Sequence, residues 1–287
     1  MFVIAGVSGH TGSKAAQTLL DRGEKVRVLV RDATQGAAWK QKGADVAVVA
    51  LEETAKLAAA IEGASGVYLL VPPGYGAADL LANNRAVADS LAAAVRAARP
   101  KHVVLLSSVG AERDAGTGPI RALHYAEAAL RATGVPLTAL RAAYFAENWA
   151  SVIGVAREHG VLPSMLAPGR SIAMVATADI GRVAAELLLE GPRAPEIVEL
   201  SGPADATPED VARAVSKTLG KEVNVVPVPD AEIVKTLVGA GMSEGVAKLF
   251  REMIDGINRG ETKWQRGTAR ATRGRVGVEE VVRQLAG

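Results

Sequence analysis

Cysteine is absent from this chain of 287 residues, which excludes disulfides, thiolate nucleophiles and cysteine-ligated metals. An excess of one charge sign is also absent: the formal net charge is only +2. This balance argues against a dedicated nucleic-acid binder. No apolar run reaches the ~18 residues of a membrane span, and the N-terminus lacks the basic start and long apolar core of a secretion signal. We therefore expect a soluble, cytoplasmic protein without a metal site, which contacts neither nucleic acid nor membrane.

The N-terminus carries a motif of three glycines, Gly6, Gly9 and Gly12, after a short apolar run that predicts a buried strand. A helix is predicted directly after the motif, from Ser13 to Leu20. Strand, glycine turn and helix is the layout that binds a dinucleotide: the first glycine allows the turn, the second admits the pyrophosphate, and the third lets helix and strand pack closely. A purely structural turn is the alternative. A Walker A loop is excluded, because lysine follows serine here instead of preceding it.

Arg31 and Asp32 stand at the end of the second predicted strand, about 20 residues after the glycines. In dinucleotide folds an acid at this position binds the ribose 2′-OH of NAD, whereas an arginine accommodates the 2′-phosphate of NADP. Because a guanidinium can bind phosphate through two parallel hydrogen bonds, the sequence favours NADP(H) as the cofactor. The alternative is that Arg31 is merely solvated and Asp32 caps the next helix.

Apolar strands and helices then alternate at least five times, which predicts an α/β protein with a doubly wound parallel sheet, the Rossmann architecture. With 49% hydrophobic residues the chain can bury a sizeable core. We expect a dinucleotide-binding domain over residues 1–150 and a smaller, mainly C-terminal α/β substrate lobe over 151–287. A strand near 173–176 or 196–200 is a candidate to return to the main sheet.

Aromatic residues make up only 3% of the chain, yet Tyr144, Phe145 and Trp149 cluster after the sixth predicted strand. Ligands bind at the carboxyl ends of parallel strands, so these side chains are candidates for a substrate wall. An apolar plug beneath the second lobe is the alternative interpretation. Tyr75, in the loop after the fourth strand, is a further candidate for contact with a ring.

The C-terminal region is rich in arginine and lysine between residues 259 and 275. Two interpretations are open, a phosphate-binding tail and a solvated segment. The second is favoured, because apart from Trp264 no aromatic residue is interleaved with the charges.

Five stretches together carry a family resemblance: Val3 to Gly12, Leu29 to Asp32, Val67 to Pro73, Leu105 to Ser108, and the run from Glu127 to Asn148. In these stretches the chain resembles the NmrA-like branch of the atypical short-chain dehydrogenase/reductases. That group includes quinone oxidoreductases and triphenylmethane-dye reductases.

The resemblance implies that NADP(H) lies across the carboxyl edge of the sheet and that the C-terminal lobe closes over a small-molecule acceptor. The implied cofactor-binding residues are Gly6, Ser8, Gly9, His10, Thr11, Gly12, Arg31, Pro72 and Ser107. The expected substrate-binding residues are Tyr75, Tyr144, Phe145, Asn148 and Trp149. Whether the chain assembles into a homo-oligomer is left open by the sequence.

One departure from the wider superfamily bears on the chemistry. Tyr125 is followed four residues later by Ala129, where a catalytic Tyr-x-x-x-Lys motif would have lysine. Without that cation the phenol keeps a pKa near 10, so Tyr125 is not expected to act as a general acid. Electron-poor conjugated acceptors such as quinones and dyes, whose reduced forms need no dedicated acid, therefore fit better than simple ketones. His124 and Tyr144 remain the candidate proton donors.

The activity expected from these residues is an NADPH-dependent reductase that transfers hydride to a quinone-like or dye-like acceptor. The alternative is a regulatory protein that senses NADP(H) with little or no turnover. A reductase or isomerase of one specific metabolite is a third possibility.

We predict that Arg31→Ala weakens NADPH binding much more than NADH binding, because the two nucleotides differ by one phosphate. Loss of a charge-assisted contact of this kind lowers affinity roughly 10- to 100-fold. Fluorescence titrations of both nucleotides with the wild type and the variant measure the two ratios. An equal loss for NADPH and NADH would remove the assignment of Arg31 to the 2′-phosphate.

Overall fold

The computed structural model describes residues 1–261 and 269–287, and within these residues an eight-stranded parallel sheet forms the centre of the molecule. The strands within the described residues are β1 (Phe2–Ile4), β2 (Val26–Val30), β3 (Asp45–Val48), β4 (Gly66–Leu70), β5 (Val103–Ser108), β6 (Leu137–Ala142), β7 (Tyr144–Phe145), β8 (Val161–Ser164), β9 (Ile172–Val175), β10 (Ile197–Ser201), β11 (Asp205–Ala206), β12 (Asn224–Pro227) and β13 (Arg270–Arg273). The order in the main sheet is β13-β10-β6-β5-β4-β1-β2-β3. Strand order therefore reverses beside β1, directly before the glycine motif.

Helices cover both faces of this sheet and also build the second lobe. They are α1 (His10–Asp21), α2 (Ala33–Gln41), α3 (Thr54–Ile61), α4 (Leu80–Ala98), α5 (Arg121–Arg131), α6 (Ala150–His159), α7 (Thr177–Glu190), α8 (Pro208–Leu219), α9 (Asp230–Gly239), α10 (Glu244–Arg259) and α11 (Val278–Ala286). None of the helices in the described residues is both long and apolar enough to cross a bilayer.

Two apolar layers form the core of the larger unit. Helices α1, α2 and α7 pack on one face of the sheet, and α3, α4 and α5 pack on the other. The central strands are apolar on both sides, so that Val3 and Ile4 are fully buried in opposite layers. Strands covered on both faces read as continuous hydrophobic runs, which is why the sequence revealed them. The predicted doubly wound parallel sheet is confirmed.

The second lobe is built around two small sheets, β11-β9-β7 and β12-β8. Helices α6, α8 and α11 enclose its core, in which Trp149 is only 4% exposed. Helix α8 begins with a capping box: Thr207 and Asp210 bond each other's backbone, and Pro208 lies between them.

The chain returns to the main sheet after residue 150. Strand β10 pairs with β6 and β13 pairs with β10, whereas β9 joins the small sheet with β7 and β11. Helix α7 also belongs to the larger unit, because it packs on α1. The sheet thus draws strands from both sides of residue 150, and the lobe is assembled from the segments between them.

The basic C-terminal region is only partly described. Arg270, in the edge strand β13, forms a two-bond ion pair with Glu190. Arg273 donates to the carbonyls of Gly202 and Pro203. Lys263, Trp264 and Arg266 lie outside the described residues. Arg270 and Arg273 thus form tertiary contacts with residues outside β13.

A buried ion pair joins α5 to β6 beneath the carboxyl edge of the sheet. Glu127 is 1% exposed and Arg141 is 3% exposed, and the two form hydrogen bonds of 2.9 and 2.7 Å. Arg131 and Ser107 also donate to the Glu127 carboxylate, at 2.9 and 2.6 Å. Burial raises the pKa of Glu127, but the bonds from Arg141, with those from Ser107 and Arg131, outweigh it and hold the pKa below its usual range.

We predict that Glu127→Gln lowers the free energy of unfolding by about 1–3 kcal/mol at pH 7, because it removes the carboxylate that accepts the two short bonds from Arg141, which keeps its longer contact with Glu112 at 3.5 Å. The folded-state pKa of Glu127 is lowered, so its contribution is complete above the unfolded-state pKa of about 4.3 and is lost as pH falls through the folded-state value. The stability gap between wild type and variant should therefore narrow in acid.

Urea unfolding at several pH values between 7 and 3 measures that gap. Glu62→Gln, which changes an exposed carboxylate at the end of α3, is the control and should match the wild type throughout. A gap that stays constant with pH would contradict the assignment of the charge to Glu127.

Candidate active site

A cavity of about 1550 Å³ runs along the carboxyl ends of the central strands and is closed on its far side by the second lobe. Most of the residues predicted for the site line it. These are Gly6, Ser8, Gly9, Thr11, Arg31, Pro72, Tyr75, Ser107, Tyr144, Phe145 and Asn148. The predicted residues outside its lining are His10, Gly12, His124 and Trp149. One cleft therefore joins the glycine motif to the aromatic cluster.

Gly9 is the position in the motif where the protein leaves room for a ligand. Its backbone is extended, with φ −102° and ψ 175°, so any residue could adopt it. A Cβ there would meet no protein atom closer than the Gly6 carbonyl at 3.5 Å. The fold itself does not need glycine here, but a pyrophosphate resting on the backbone would. Gly9 is also the N-cap of α1 and provides no side-chain cap, so the first N–H groups of the helix are free for an anion.

Gly12 supports the site from behind. A Cβ at this residue would lie 2.5 Å from the carbonyl oxygens of both Ala5 and Gly6. Glycine is therefore required for α1 to pack on the end of β1, as the spacing of the motif predicted. Gly6 itself has φ +68°, the left-handed turn that starts the motif.

Arg31 marks the opposite end of the cavity, where it lies with Gln35 and Glu52 in the lining. Its neighbour Asp32 is the N-cap of α2 and accepts bonds of 2.8 and 2.9 Å from the amide and hydroxyl of Thr34. These bonds lower the pKa of Asp32. With the carboxylate occupied as a cap, Arg31 is the member of this pair that lines the cavity, and a guanidinium suits a phosphate better than a ribose hydroxyl.

Ser107, at the end of β5, lines the floor of the cavity on the other side of the glycine turn from Arg31, as the strand order β5-β4-β1-β2 requires. Its hydroxyl donates to Glu127 Oε1 at 2.6 Å, and the carboxylate is held ionised by its neighbours. The hydroxyl proton is thus committed to the buried ion pair. With that proton committed, any further hydrogen bond at the Ser107 hydroxyl is one that its oxygen accepts.

Tyr144 and Phe145 belong to β7, which pairs with β9, so the small sheet of the lobe holds them at the cavity. Burial raises the pKa of Tyr144 to about 12, even though a hydrogen bond with Asn148 opposes that shift. The phenol is accordingly protonated at neutral pH, where it can donate a hydrogen bond without acting as an acid of matched pKa.

The other candidate side chains have different roles in the structure. His124 Nδ1 lies 2.9 Å from the carbonyl of Ala111. Trp149, in the turn before α6, is buried in the lobe core and does not line the cleft. Tyr125 donates to Asp89 at 2.7 Å and lies under Arg85 on the outer face of α5. The hydrogen bond to Asp89 raises the pKa of Tyr125, which moves it further from acid catalysis.

Residues 1–269 match the NmrA-like family model. The chain belongs to the NmrA-like family. The chain is 24% identical to an NAD(P)H azoreductase of Xenophilus azovorans over 253 residues, which cover 88% of this chain and 86% of that protein. It resembles the NADPH-dependent quinone oxidoreductase of Escherichia coli solved with NADPH, with a TM-score of 0.84 and 22% identity over all of both chains. The Citrobacter sp. triphenylmethane reductase solved with NADP(H) gives the same TM-score and identity, covering 99% of this chain and 100% of that one.

In this NmrA-like protein the sequence analysis missed one wall of the cavity, which α10 provides. Phe250, Met253 and Ile257 line the cleft, and Phe250 contacts the ring of Tyr75 with centroids 5.7 Å apart. The spacing of three and four residues was a helical signal, but the sequence alone could not say which cavity this stripe faces. Arg170, in the turn before β9, was missed as well.

We predict that two alanine substitutions separate binding from folding in this NmrA-like protein. Gly9→Ala should keep the melting temperature, because its Cβ has room, but lower NADPH affinity about tenfold or more where the methyl meets the pyrophosphate. Gly12→Ala should instead destabilise the fold by about 1–3 kcal/mol, because its Cβ meets two carbonyls.

Calorimetric titration with NADPH and thermal unfolding measure the two effects. Gly154→Ala, on the exposed face of α6 with no atom near its Cβ, is the matched control: it should leave NADPH affinity unchanged and raise stability by up to about 1 kcal/mol through helix propensity. Unchanged NADPH affinity in Gly9→Ala would show that the dinucleotide does not rest on this turn.

Proposed function

We propose that this protein is an NADPH-dependent reductase that transfers hydride to a conjugated, electron-poor acceptor such as a quinone or a dye. The observation that carries the proposal is the single cleft that runs from the glycine turn and Arg31 to an aromatic and apolar end in the lobe. Such a cleft accommodates a dinucleotide and a flat acceptor end to end.

The residues present fit NADPH. The Gly9 turn offers free amides for the pyrophosphate, and Arg31 offers a guanidinium for the 2′-phosphate. Ser107, whose proton is directed to Glu127, offers an acceptor oxygen for a carboxamide N–H. When bound, NADPH supplies the hydride that the acceptor receives.

Within the described residues the cavity lining contains neither lysine nor histidine. Tyr125, on the outer face of α5, is engaged by Asp89, and the pKa of Tyr144 is raised well above neutral. The site thus offers hydrogen bonds but no proton donor of matched pKa. A quinone gives a weakly basic phenolate and a cationic triarylmethane dye gives a neutral product, so neither requires such a donor. A simple ketone would, because its alkoxide is strongly basic.

The chain's own residues also provide the setting for the transfer. Tyr144 and Phe145 on one side and the α10 stripe on the other give the acceptor an apolar slot that excludes water. The named activities of the relatives, reduction of an azo compound, a quinone and a triphenylmethane dye, share conjugated acceptors of this kind.

Isotope transfer to a triarylmethane dye tests the proposal directly. The enzyme is supplied with NADPH that carries deuterium on either face of C4, and the leuco dye is analysed by mass spectrometry. We expect deuterium on the central carbon from one labelled cofactor and not from the other, because the bound ring presents one face to the acceptor.

A panel of quinones, azo dyes and aliphatic ketones, followed by NADPH absorbance, completes the test. Conjugated acceptors should turn over well above the uncatalysed rate and ketones should not. Tight NADPH binding with no turnover of any acceptor would reject the reductase and favour a regulatory protein that senses the nucleotide.

A further inference from the structure

Arg170 places a cation in the acceptor end of the cavity without a carboxylate partner. Across residues 1–261 and 269–287, its guanidinium has no hydrogen bond and no acid within ion-pair distance, and its buried Nε is unsatisfied. The undescribed residues 262–268 contain no aspartate or glutamate. Asp205 also lines the cavity, but its nearest cation is Arg273, at 3.9 Å. A buried N–H without a partner is costly, so this group indicates a ligand that completes it.

The guanidinium is held in place by the end of α10. Gly260 has φ +73° and ends the helix, and a Cβ there would collide with Arg170 Nη2 and lie 3.3 Å from Nη1. The turn that carries Arg170 is tied to the same helix, because Asn258 accepts from the amide of Ala167, whose carbonyl in turn binds the amide of Arg170. Arg170 is therefore fixed at one end of the slot and does not extend freely into solvent.

An apolar path leads along α10 from the Tyr75 end of the cavity to this cation. Phe250, Met253 and Ile257 follow one face of α10 and span about 10 Å at the helical rise. Phe250 contacts Tyr75 in the loop after β4, and the other end of the stripe reaches Gly260 and Arg170. A body of two fused rings along this path would place its far substituent near the guanidinium.

We propose that Arg170 is an anion subsite that selects acceptors carrying an oxyanion, such as a carboxylate, at the end remote from the reducible group. The inference deepens the proposed reductase function and rests on it. A carboxylate would receive charge-assisted, bidentate hydrogen bonds, satisfy the buried Nε and displace little water. A neutral acceptor of the same shape would leave the guanidinium unpaired.

The test compares two 1,4-naphthoquinones that differ only at C6, one with a carboxylate and one with a carboxamide. In each, two electrons and a proton from NADPH, with one proton from water, give the hydroquinone and NADP⁺. We expect the wild type to prefer the carboxylate roughly 10- to 100-fold in kcat/KM. Arg170→Met should lose that preference and keep its kcat/KM for the carboxamide. Arg170→Lys should retain part of the preference for the carboxylate.

Three controls make the outcome decisive. Arg96→Met removes an exposed arginine on α4 and should leave the preference intact. The melting temperature and NADPH affinity of Arg170→Met should equal those of the wild type. A fall in the NADPH affinity of Arg170→Met would assign the guanidinium to the dinucleotide. An unchanged preference of Arg170→Met for the carboxylate would show that Arg170 does not recognise the charge of the acceptor. Either result overturns the proposal.

A binding measurement separates this inference from the proposed function. Naphthalene-2-carboxylate and naphthalene-2-carboxamide are titrated into the NADP⁺-loaded protein by calorimetry. Tighter binding of the carboxylate to the wild type, lost in Arg170→Met, would support the subsite even if no quinone turned over. Equal binding of both compounds to the wild type would reject the subsite even if quinones were reduced.

Discussion

The position of α1 depends on two contacts that glycine alone permits, and the candidate site depends on that helix. On one side Gly12 brings the first turn of α1 against the carbonyls of Ala5 and Gly6. On the other side Gly181 of α7 approaches the Thr11 carbonyl so closely that a Cβ would lie 2.5 Å from it. The free amides at the start of α1 are thus aimed by packing on two sides, before any ligand arrives. Tyr68 adds a buried hydrogen bond to Thr11 at 3.0 Å.

The buried pair of Glu127 and Arg141 fixes the floor of the cavity, as the glycine contacts fix α1. The pair joins α5 to β6, and Ser107 of β5 is bonded to it. Glu199 of β10 stands beside Arg141 in register, so a further acid adjoins the network. Ionic groups in a dry interior contribute little net stability but are costly to disturb. Their effect here is to fix the hydroxyl proton of Ser107, a residue that lines the cleft.

Much of this arrangement was predictable, because it follows from local chemistry. The alternation of apolar strands and helices predicted the sheet, and the glycine spacing predicted the turn. Asp32 caps α2, as one of the two interpretations of this pair held, while Arg31 lines the cleft and its contact with a phosphate stays a prediction. Trp149 and Arg170 were not predictable, because their surroundings are set by long-range packing of the lobe. Periodicity shows that a residue is buried or exposed, but not against which surface.

The repeated passage of the chain between sheet and lobe has a consequence for the lifetime of the protein. After β9 the chain re-enters the larger unit at α7 and β10, leaves it at β11, and returns once more at β13 before α11. Neither the sheet nor the lobe can therefore unfold without disturbing the other. A dinucleotide bound on the sheet side therefore also protects the lobe, and at 100 times its dissociation constant it adds about 2.7 kcal/mol to the folded state. Resistance to proteases should consequently rise and fall with the supply of reduced nucleotide.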